Sequence, residues 1–394
     1  MDFGFDELKN LVINRGLCTV CGTCIGICPQ ESLGLFYKNE EPLPDLKGEC
    51  TNCGLCYKVC PGSDVPLPEL ERFCFGKSRE NKPDDHGVFS FSGMGYATEE
   101  RVRRAGASGG VATALLIYGL ESGLIDCALV AAFNRDKPWR TEARIATTKE
   151  ELIEAAQSKY AAVATNSLLG EAVKRGYRKI GLVGCPCHIH AIRKMEYQRL
   201  LPNITKKIKI LLGLFCGAQF HFEGTRHVLV EKCDVHDLKD VASLQYRGRE
   251  KEWSTNFVVE LANGEKRYVG KFDMVFGGLM HFRRDRCAMC IDWSAELADI
   301  SIADYWGPLA KPDDESLYSS FLIRTNRGED WIWGAQKAGY IDVKESSADY
   351  LTECSGFETK KHGCVFRLAQ RQRYGWPTPD FHYSPSYAPF RPKT

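Results

Sequence analysis

Two runs of cysteines near the N-terminus constrain this chain more than any other feature. Both have the spacing C-x2-C-x2-C-x3-C with a proline directly after the fourth cysteine, and they comprise Cys18, Cys21, Cys24 and Cys28, then Cys50, Cys53, Cys56 and Cys60. The first three thiolates of such a run can bind three irons of one [4Fe–4S] cluster, whereas the fourth points toward the neighbouring cluster. The spacing therefore predicts crossed ligation, with one cluster on Cys18, Cys21, Cys24 and Cys60 and the other on Cys28, Cys50, Cys53 and Cys56.

Zinc is the alternative metal for these cysteines, since C-x2-C pairs also bind zinc. A pair of zinc sites requires no repeated C-x3-C-P ending, so the spacing favours iron–sulfur clusters. The stretch resembles a bacterial two-cluster ferredoxin domain, which we place at residues 1–76. The sequence shows no export signal at its start, and clustered cysteines in such a chain are more often metal ligands than disulfides.

The composition is that of an ordinary globular protein. The chain has 394 residues, 44% of them hydrophobic and 26% charged, and a formal net charge of +1. This balance excludes a disordered chain and a strongly basic nucleic-acid binder. The longest apolar run, at 111–120, is about half of the roughly 20 residues that a membrane-spanning helix needs. We expect a cytoplasmic protein with no nucleic-acid partner, whose membrane association is at most peripheral and through a partner.

Beyond the two cysteine runs, hydrophobic segments alternate between strand and helix patterns. The predicted strands are 125–133, 178–184, 207–215, 297–305, 320–325 and 341–344, and the predicted helices are 111–120, 188–200, 221–232 and 330–337. This alternation indicates an α/β domain with parallel strands, which we place at residues 77–365. Asn263-Gly264 marks a hairpin between 257–261 and 266–269, so we expect a mixed sheet with an antiparallel part.

Proline-rich segments flank the predicted α/β domain on both sides. Pro66 and Pro68 stand in a predicted loop-rich linker. The last 20 residues combine prolines with aromatic side chains, so a helix or a central strand is not expected there. We expect this tail, residues 366–394, either to pack over the domain or to dock on a partner.

A second set of cysteines suggests a further metal site. Cys187 and Cys216 follow the ends of two consecutive predicted strands, and Cys287 and Cys290 form a C-x2-C pair. Because functional groups collect at the carboxyl ends of parallel strands, these four are candidate ligands of a third [4Fe–4S] cluster. Cys185 can replace Cys187, and buried free thiols are the alternative for the whole set. Five other cysteines are predicted core thiols: Cys74, Cys127, Cys233, Cys354 and Cys364.

Six segments in a fixed order carry a resemblance to a known family. They are ASGGVATAL at 107–115, QSKY at 157–160, VGCPC at 183–187, GLFCG at 213–217, CAMCID at 287–292 and ADISIADYW at 298–306. Together they resemble the beta-subunit family of coenzyme F420 hydrogenases and dehydrogenases, flavoproteins that exchange hydride with a deazaflavin coenzyme. An N-terminal ferredoxin domain is a common arrangement in this family. The chain departs from the family at Cys185, where threonine usually precedes Pro-Cys.

The resemblance implies that the α/β domain binds FAD through two segments. The candidate contacts are Ser108, Gly109, Gly110 and Thr113 in the first segment, and Ser158, Lys159 and Tyr160 in the second. A Gly-Gly turn that opens a helix offers free N–H groups and a positive dipole end to a pyrophosphate. The alternatives are an ordinary helix start for the first segment and a solvated loop at Lys159.

The implied cofactors are FAD and three [4Fe–4S] clusters, with coenzyme F420 as substrate. A deazaflavin transfers hydride, iron–sulfur clusters transfer single electrons, and a flavin can do both. We therefore expect electrons to pass between F420, FAD, the clusters and a redox partner, which is a ferredoxin or another subunit of a larger complex. No side chain is predicted to be catalytic. The alternatives are a non-catalytic electron-transfer subunit and a ferredoxin-dependent flavin reductase of another substrate.

Three basic runs are candidate receptors for the anionic tail of the coenzyme. They lie at 101–104, 206–207 and 283–284. Arginine and lysine bind phosphate and carboxylate groups, but a solvated surface is the alternative for each run.

Overall fold

A mixed eight-stranded sheet organises most of this chain. The computed structural model describes residues 4–79, 86–248, 256–308, 318–352, 357 and 359–383. The strands are β1 (Leu33–Lys38), β2 (Glu41–Leu46), β3 (Phe91–Ala97), β4 (Cys127–Phe133), β5 (Thr141–Ala146), β6 (Ile180–Gly184), β7 (Ile208–Leu214), β8 (Val241–Gly248), β9 (Asn256–Leu261), β10 (Lys266–Val269), β11 (Ile300–Asp304), β12 (Ser319–Ile323) and β13 (Ile341–Glu345). In space the large sheet has the order β13-β3-β12-β11-β7-β6-β4-β5.

Helices cover the sheet and connect its strands. The α-helices are α1 (Phe5–Leu8), α2 (Thr23–Gly26), α3 (Leu55–Lys58), α4 (Leu67–Phe75), α5 (Glu100–Ala105), α6 (Val111–Glu121), α7 (Lys149–Glu154), α8 (Leu169–Lys174), α9 (Pro186–Tyr197), α10 (Pro202–Thr205), α11 (Phe222–His227), α12 (Lys271–Val275), α13 (Asn326–Lys337), α14 (Asp349–Thr352) and α15 (Cys364–Arg373). Short 3-10 segments are Thr165–Leu168, Leu238–Asp240, Leu279–Phe282 and Cys287–Met289, and π-helical segments are Lys9–Ile13, Val228–Lys232 and Thr359–Gly363. Among the described helices, none has the length and apolar character needed to cross a membrane.

The centre of the large sheet is parallel. Strands β11, β7, β6 and β4 are parallel neighbours, whereas β12, β13 and β5 pair antiparallel. The carboxyl ends of the four parallel strands therefore meet at one edge, which we call the carboxyl edge. A separate antiparallel sheet, β10-β9-β8, contains the predicted hairpin at 263–264. The predicted mixed α/β architecture is confirmed.

Two hydrophobic cores cover the two faces of the sheet, since successive residues of a strand point to opposite faces. On one face, α6 and α13 share a core with Val130 and Leu212. On the other face, α9 shares a core with Leu129 and Leu211. Strands that are buried on both faces read as continuous apolar runs, and this explains why these strands were predictable.

The N-terminal region packs directly on the α9 face of the sheet. Phe5, Leu8 and Val59 belong to the same hydrophobic core as α9. Two buried cations reinforce the contact: Lys194 Nζ donates to the carbonyl oxygen of Cys60 at 2.9 Å, and Arg286 Nη2 donates to that of Pro61 at 2.8 Å. The cysteine-rich region is therefore held in one orientation against the α/β domain.

Two predictions about the flanking segments need correction. The predicted linker contains helix α4, which begins at Leu67. Pro68 is compatible with this helix because it lies in the first turn, where backbone N–H groups have no helical acceptor. Helix α15 runs across the predicted start of the tail at 366, so the tail begins as a helix. Further along, the backbone N–H of Val65 donates to the carbonyl of Asp380 at 2.8 Å, and Phe381 is buried. The described part of the tail thus packs on the chain itself.

Candidate electron-transfer and flavin site

Five of the ferredoxin-type cysteines line one cavity, and one of the five is Cys56. The other four, which we call the proximal cysteine site, are Cys18, Cys21, Cys24 and Cys60. Helix α2 follows the left-handed Gly22 and carries Cys24, while the Pro61 turn brings in Cys60. Burial raises the pKa of Cys60 to about 12, with contributions in the same direction from Cys21 and Cys18. A bound metal reverses this effect because it deprotonates its thiol ligands. The four thiols fit a [4Fe–4S] cluster.

The other four cysteines line a second cavity, the distal cysteine site: Cys28, Cys50, Cys53 and Cys56. Burial raises the pKa of Cys56 to about 12, with contributions from Cys53, Cys50 and Cys28. Cys56 also borders the proximal cavity, and Cys53 is exposed at the surface. Each cavity therefore contains one of the two sets named for crossed ligation, and the ligation itself stays a prediction.

The cysteines of both sites are thiols around open cavities. Every cysteine in the described ranges is free of disulfides. Within those ranges, no three His, Cys, Asp or Glu side chains converge closely enough to hold a single metal ion. Of the predicted core thiols, Cys127 and Cys233 are buried, Cys74 is half-buried, and Cys354 lies outside the described residues.

The core cysteine site comprises the four further candidates, Cys187, Cys216, Cys287 and Cys290. Cys187 lies in the first turn of α9, directly after β6, and Cys216 follows β7. The backbone N–H of Cys216 donates to the carbonyl of Trp293 at 3.0 Å, which ties the end of β7 to the loop after Cys290. Burial raises the pKa of Cys287, and Cys216 and Cys290 act in the same direction. Cys187, Cys216, Cys287 and Cys290 are thus near enough to influence one another's ionisation, and their ligation of a third cluster stays a prediction.

Two additional thiols lie at the core cysteine site. The Cys185 thiol donates a hydrogen bond to Cys216, which lowers the pKa of Cys216. Cys364 Sγ lies 3.8 Å from the carbonyl oxygen of Cys287. Cys364 was predicted to be a core thiol; it is buried, but it belongs to this site. No sequence spacing indicated it, because 77 residues separate it from Cys287. The choice between Cys185 and Cys187 stays open.

The first predicted flavin segment lies at the carboxyl edge of the sheet. Ser108 Oγ is 2.9 Å from Ser319 Oγ, at the start of β12, and Ser319 pairs with Asp304, the last residue of β11. Gly109 precedes Gly110, which adopts a φ of +74° as the N-cap of α6, and a Cβ there would lie 2.8 Å from the carbonyl oxygen of Val102. The half-buried Thr113 lies in the first turns of α6.

The second predicted segment lies at the same edge, beside β4 and β8. Ser158 and Lys159 are half-buried, and Lys159 Nζ donates to the carbonyl oxygens of Ala155 and Ala156 at 2.5 and 2.6 Å. Burial lowers the pKa of Lys159 to about 7, with a further contribution from Arg144. Lys159 is therefore not part of a solvated loop.

Arg247 connects the two segments, and sequence analysis missed it. The Tyr160 ring lies 5.3 Å from that of Tyr246, beside Arg247, and Arg247 Nη1 donates to Asp304 Oδ1 at 2.9 Å. Burial lowers the pKa of Arg247, but the neighbouring Asp304 carboxylate raises it, and the resulting pKa lies above the usual value for arginine. Arg247 Nε is buried and has no hydrogen-bond partner among the described residues. This donor is suited to an anionic ligand.

Comparison with known proteins identifies the family. Three family models match: the C-terminal part of the coenzyme F420 hydrogenase/dehydrogenase beta subunit at 177–349, the N-terminal part of that same protein at 94–170, and a 4Fe-4S dicluster domain at 10–61. The coenzyme F420 hydrogenase subunit beta of Methanococcus voltae is 31% identical over 289 residues, which are 72% of this chain and 95% of that protein. The chain belongs to the coenzyme F420 hydrogenase/dehydrogenase beta-subunit family.

Other F420 beta-subunit relatives differ in how much of their length they share. The F subunit of the F420H2 dehydrogenase of Methanosarcina mazei is 26% identical over 82% of this chain and 83% of its own. The coenzyme F420-dependent sulfite reductase of Methanocaldococcus jannaschii is 30% identical, but this chain spans only 46% of that protein. A chain of the F420-reducing [NiFe] hydrogenase complex of Methanosarcina barkeri shares the fold, with a TM-score of 0.60 and 24% identity over 74% of this chain and 95% of that one.

The basic runs proposed for the F420 tail occupy three different places in this beta-subunit fold. The run at 101–104 lies in α5, next to the start of α6, although Arg101 pairs with Glu150. Arg284 is buried, pairs with Glu41 and lies near Cys18, so it belongs to the proximal cysteine site. The run at 206–207 precedes β7 and therefore lies at the edge opposite the core cysteines. The first run is thus the one that lies beside the first candidate flavin segment.

Proposed function

We propose that this chain is an F420-dependent iron–sulfur flavoprotein oxidoreductase, with an architecture like that of the F subunit of the F420H2 dehydrogenase. It exchanges hydride between F420 and FAD and relays single electrons through three [4Fe–4S] clusters to or from a redox partner. The observation that carries the proposal is the continuous series of cysteine sites. Cys21 of the proximal site is near enough to Cys187 of the core site to raise its pKa, Cys56 borders the proximal and distal cavities, and Cys53 is exposed at the surface.

The FAD part of the proposal is supported by the carboxyl edge of the sheet. We propose that Ser108, Gly109, Gly110 and Thr113 hold FAD from one side, and Ser158, Lys159 and Tyr160 from the other. The N–H groups at the start of α6 and the unpartnered Nε of Arg247 are donors that suit a phosphate or an anionic ring. When bound, FAD supplies the chemistry that connects hydride with single electrons.

The surrounding side chains orient groups and exclude water. Tyr160 and Tyr246 form an aromatic wall, and Asp304 fixes the guanidinium of Arg247. We assign no general acid or base, because we propose that the side chains act by alignment and electrostatics rather than by proton transfer.

The organisation of the chain follows from the same proposal. Residues 1–76 form the two-cluster ferredoxin domain, 77–365 the FAD-binding domain with the third cluster, and 366–394 the tail. The partner is a ferredoxin or another subunit of a larger complex, since relatives are named as subunits of hydrogenases and dehydrogenases. We place the protein in the cytoplasm.

The test uses full-length protein reconstituted with iron, sulfide and FAD. We expect about 12 irons per chain, since each of three clusters holds four, together with bound flavin and oxidation of F420H2 with a viologen dye as acceptor. A Cys287→Ala variant should retain about 8 irons. The matched control is Cys127→Ala, which removes a buried thiol of β4 and should retain all of them.

Each alternative gives a different result in this test. Protein that holds the clusters, binds no FAD and leaves F420H2 unoxidised is a non-catalytic electron-transfer subunit. Protein that binds FAD but accepts electrons only from reduced ferredoxin is a flavin reductase of another substrate. Zinc in place of iron overturns the cluster assignment.

A further inference from the structure

A buried lysine from the C-terminal segment lies among the core cysteines. Lys360 is 1% exposed, although it follows Cys287 by 73 residues. Its Nζ donates a hydrogen bond to the carbonyl oxygen of Cys287 at 3.2 Å. The ionisable groups that act on it most strongly are four thiols, namely Cys290, Cys364, Cys216 and Cys287. The family models end at residue 349, so they assign Lys360 no role.

The adjacent Lys361 shows what an ordinary buried lysine does in this fold. It is also buried, but its ammonium forms an ion pair with Glu296, which in turn pairs with Arg79. Among the described ion pairs, Lys360 has no such carboxylate. Burying an unpaired ammonium is strongly unfavourable, so Lys360 requires an anion at the core cysteine site.

A ligated cluster supplies that anion. Four thiolates outweigh the positive charge of the iron–sulfide core, and one-electron reduction adds a further negative charge to the cluster. A nearby buried cation favours the more negative state and so raises the reduction potential, because net charge and local electrostatics set cluster potentials. Lys360 lies on the Cys287 side of the site, where no solvent screens its charge.

We propose that Lys360 is a fixed positive charge that raises the reduction potential of the cluster held by the core cysteine site. This inference rests on the proposed function, because it requires a third cluster. It assigns the C-terminal segment a role in electron transfer: one electron enters the core cluster from the flavin or the redox partner, no bond forms or breaks, and the fixed ammonium stabilises the negative charge that the cluster gains.

The test compares cluster potentials in full-length reconstituted protein, titrated with redox mediators and followed by EPR. Lys360→Gln keeps a hydrogen-bond donor but removes the charge. We expect one of three midpoint potentials to fall by about 59 mV or more, which is a tenfold change in the ratio of reduced to oxidised cluster for one electron. The other two potentials should not change. Lys360→Arg, which keeps the charge, and Lys361→Gln, the matched neighbour, should both retain the potential of the parent protein.

Several results decide the matter without measuring turnover. Three unchanged potentials in Lys360→Gln overturn the proposal, as does loss of the core cluster from both Lys360 variants, since the lysine is then structural. Loss of the cluster from Lys360→Gln alone also overturns the proposal, since the charge is then required to hold the cluster rather than to set its potential. Parent protein with about 8 irons overturns this proposal and the cluster count together. A shifted potential without F420H2 oxidation overturns only the hydride step of the proposed function.

Discussion

Cys187 of the α/β domain and Cys21 of the ferredoxin-type region lie close together. Burial raises the pKa of Cys187 well above its usual value, and Cys21 raises it more than any other neighbouring group. The two residues are near each other because α9, which begins directly after β6, packs on the same core as the N-terminal region. The proposed entry cluster thus lies beside the proposed relay clusters.

The first prediction decides which thiol of Cys185-Pro186-Cys187 is a ligand. Because Cys187 lies beside Cys216, Cys287 and Cys290 and Cys185 hydrogen-bonds to Cys216, we expect Cys187→Ser to retain about 8 of about 12 irons and Cys185→Ser to retain all of them. Iron analysis and EPR of reconstituted protein measure this. The reverse pattern would make Cys185 the ligand, and full iron in both variants would remove this turn from the site.

The second prediction concerns the left-handed glycine before α6. Gly110→Ala places a Cβ 2.8 Å from the carbonyl oxygen of Val102 in addition to the strained backbone. We expect the free energy of unfolding to fall by about 1–3 kcal/mol. Gly123→Ala is the matched control, since Gly123 also has a positive φ but no atom near its added Cβ. Denaturant unfolding should show the larger loss for Gly110→Ala; equal losses would contradict the close approach.

The third prediction tests Arg247 as a flavin contact. Removing its guanidinium with Arg247→Met should weaken FAD binding about tenfold or more, because a charge-assisted hydrogen bond contributes about 1.5–3 kcal/mol. Quenching of flavin fluorescence in a titration of apoprotein measures the affinity. Arg267→Met is the control in the same small sheet, where the arginine pairs with Glu265. Equal FAD affinity in both variants would exclude Arg247 from the flavin site.

The fourth prediction is a pH dependence from His86. Its imidazole is 3% exposed, packs on Phe357 at 4.9 Å and, among the described residues, has no hydrogen-bond partner for its ring nitrogens. Burial lowers its pKa to about 3, assisted by Lys361 and Arg324. Below about pH 6.5, His86 therefore binds a proton in the unfolded chain but stays neutral in the folded chain.

Because of His86, the free energy of unfolding should decrease as the pH falls. Between about pH 6.5 and pH 5, the parent protein should lose about 2 kcal/mol more than His86→Phe, which has no titrating ring. Denaturant unfolding of both proteins at each pH gives the difference. Parallel pH profiles for parent and variant would show that His86 is not held neutral.

Much of the architecture was predictable because its signals are local. The two cysteine runs predicted which thiols line each of two cavities in the N-terminal region, since three cysteines of each set lie within one short loop. Helix α6 and strands β4, β6 and β7 were predictable from uninterrupted apolar segments that are buried on both sides. Strand β8 and helix α4 were not predicted, because polar residues such as the buried Arg247 interrupt the apolar pattern of β8 and prolines stand at the start of α4.

The sequence by itself determined the kind of chemistry, through cysteine spacing and the ordered family segments. Only the tertiary structure decided which residues are neighbours in space. It places Cys187 near Cys21, lets Arg247 donate to Asp304, and brings Lys360 among the core thiols. The hydrogen bond between Arg247 and Asp304 joins residues 57 positions apart, and that between Lys360 and Cys287 joins residues 73 positions apart. No local pattern records such a separation, because the order of strands in the sheet and the packing of the C-terminal segment bring the residues together.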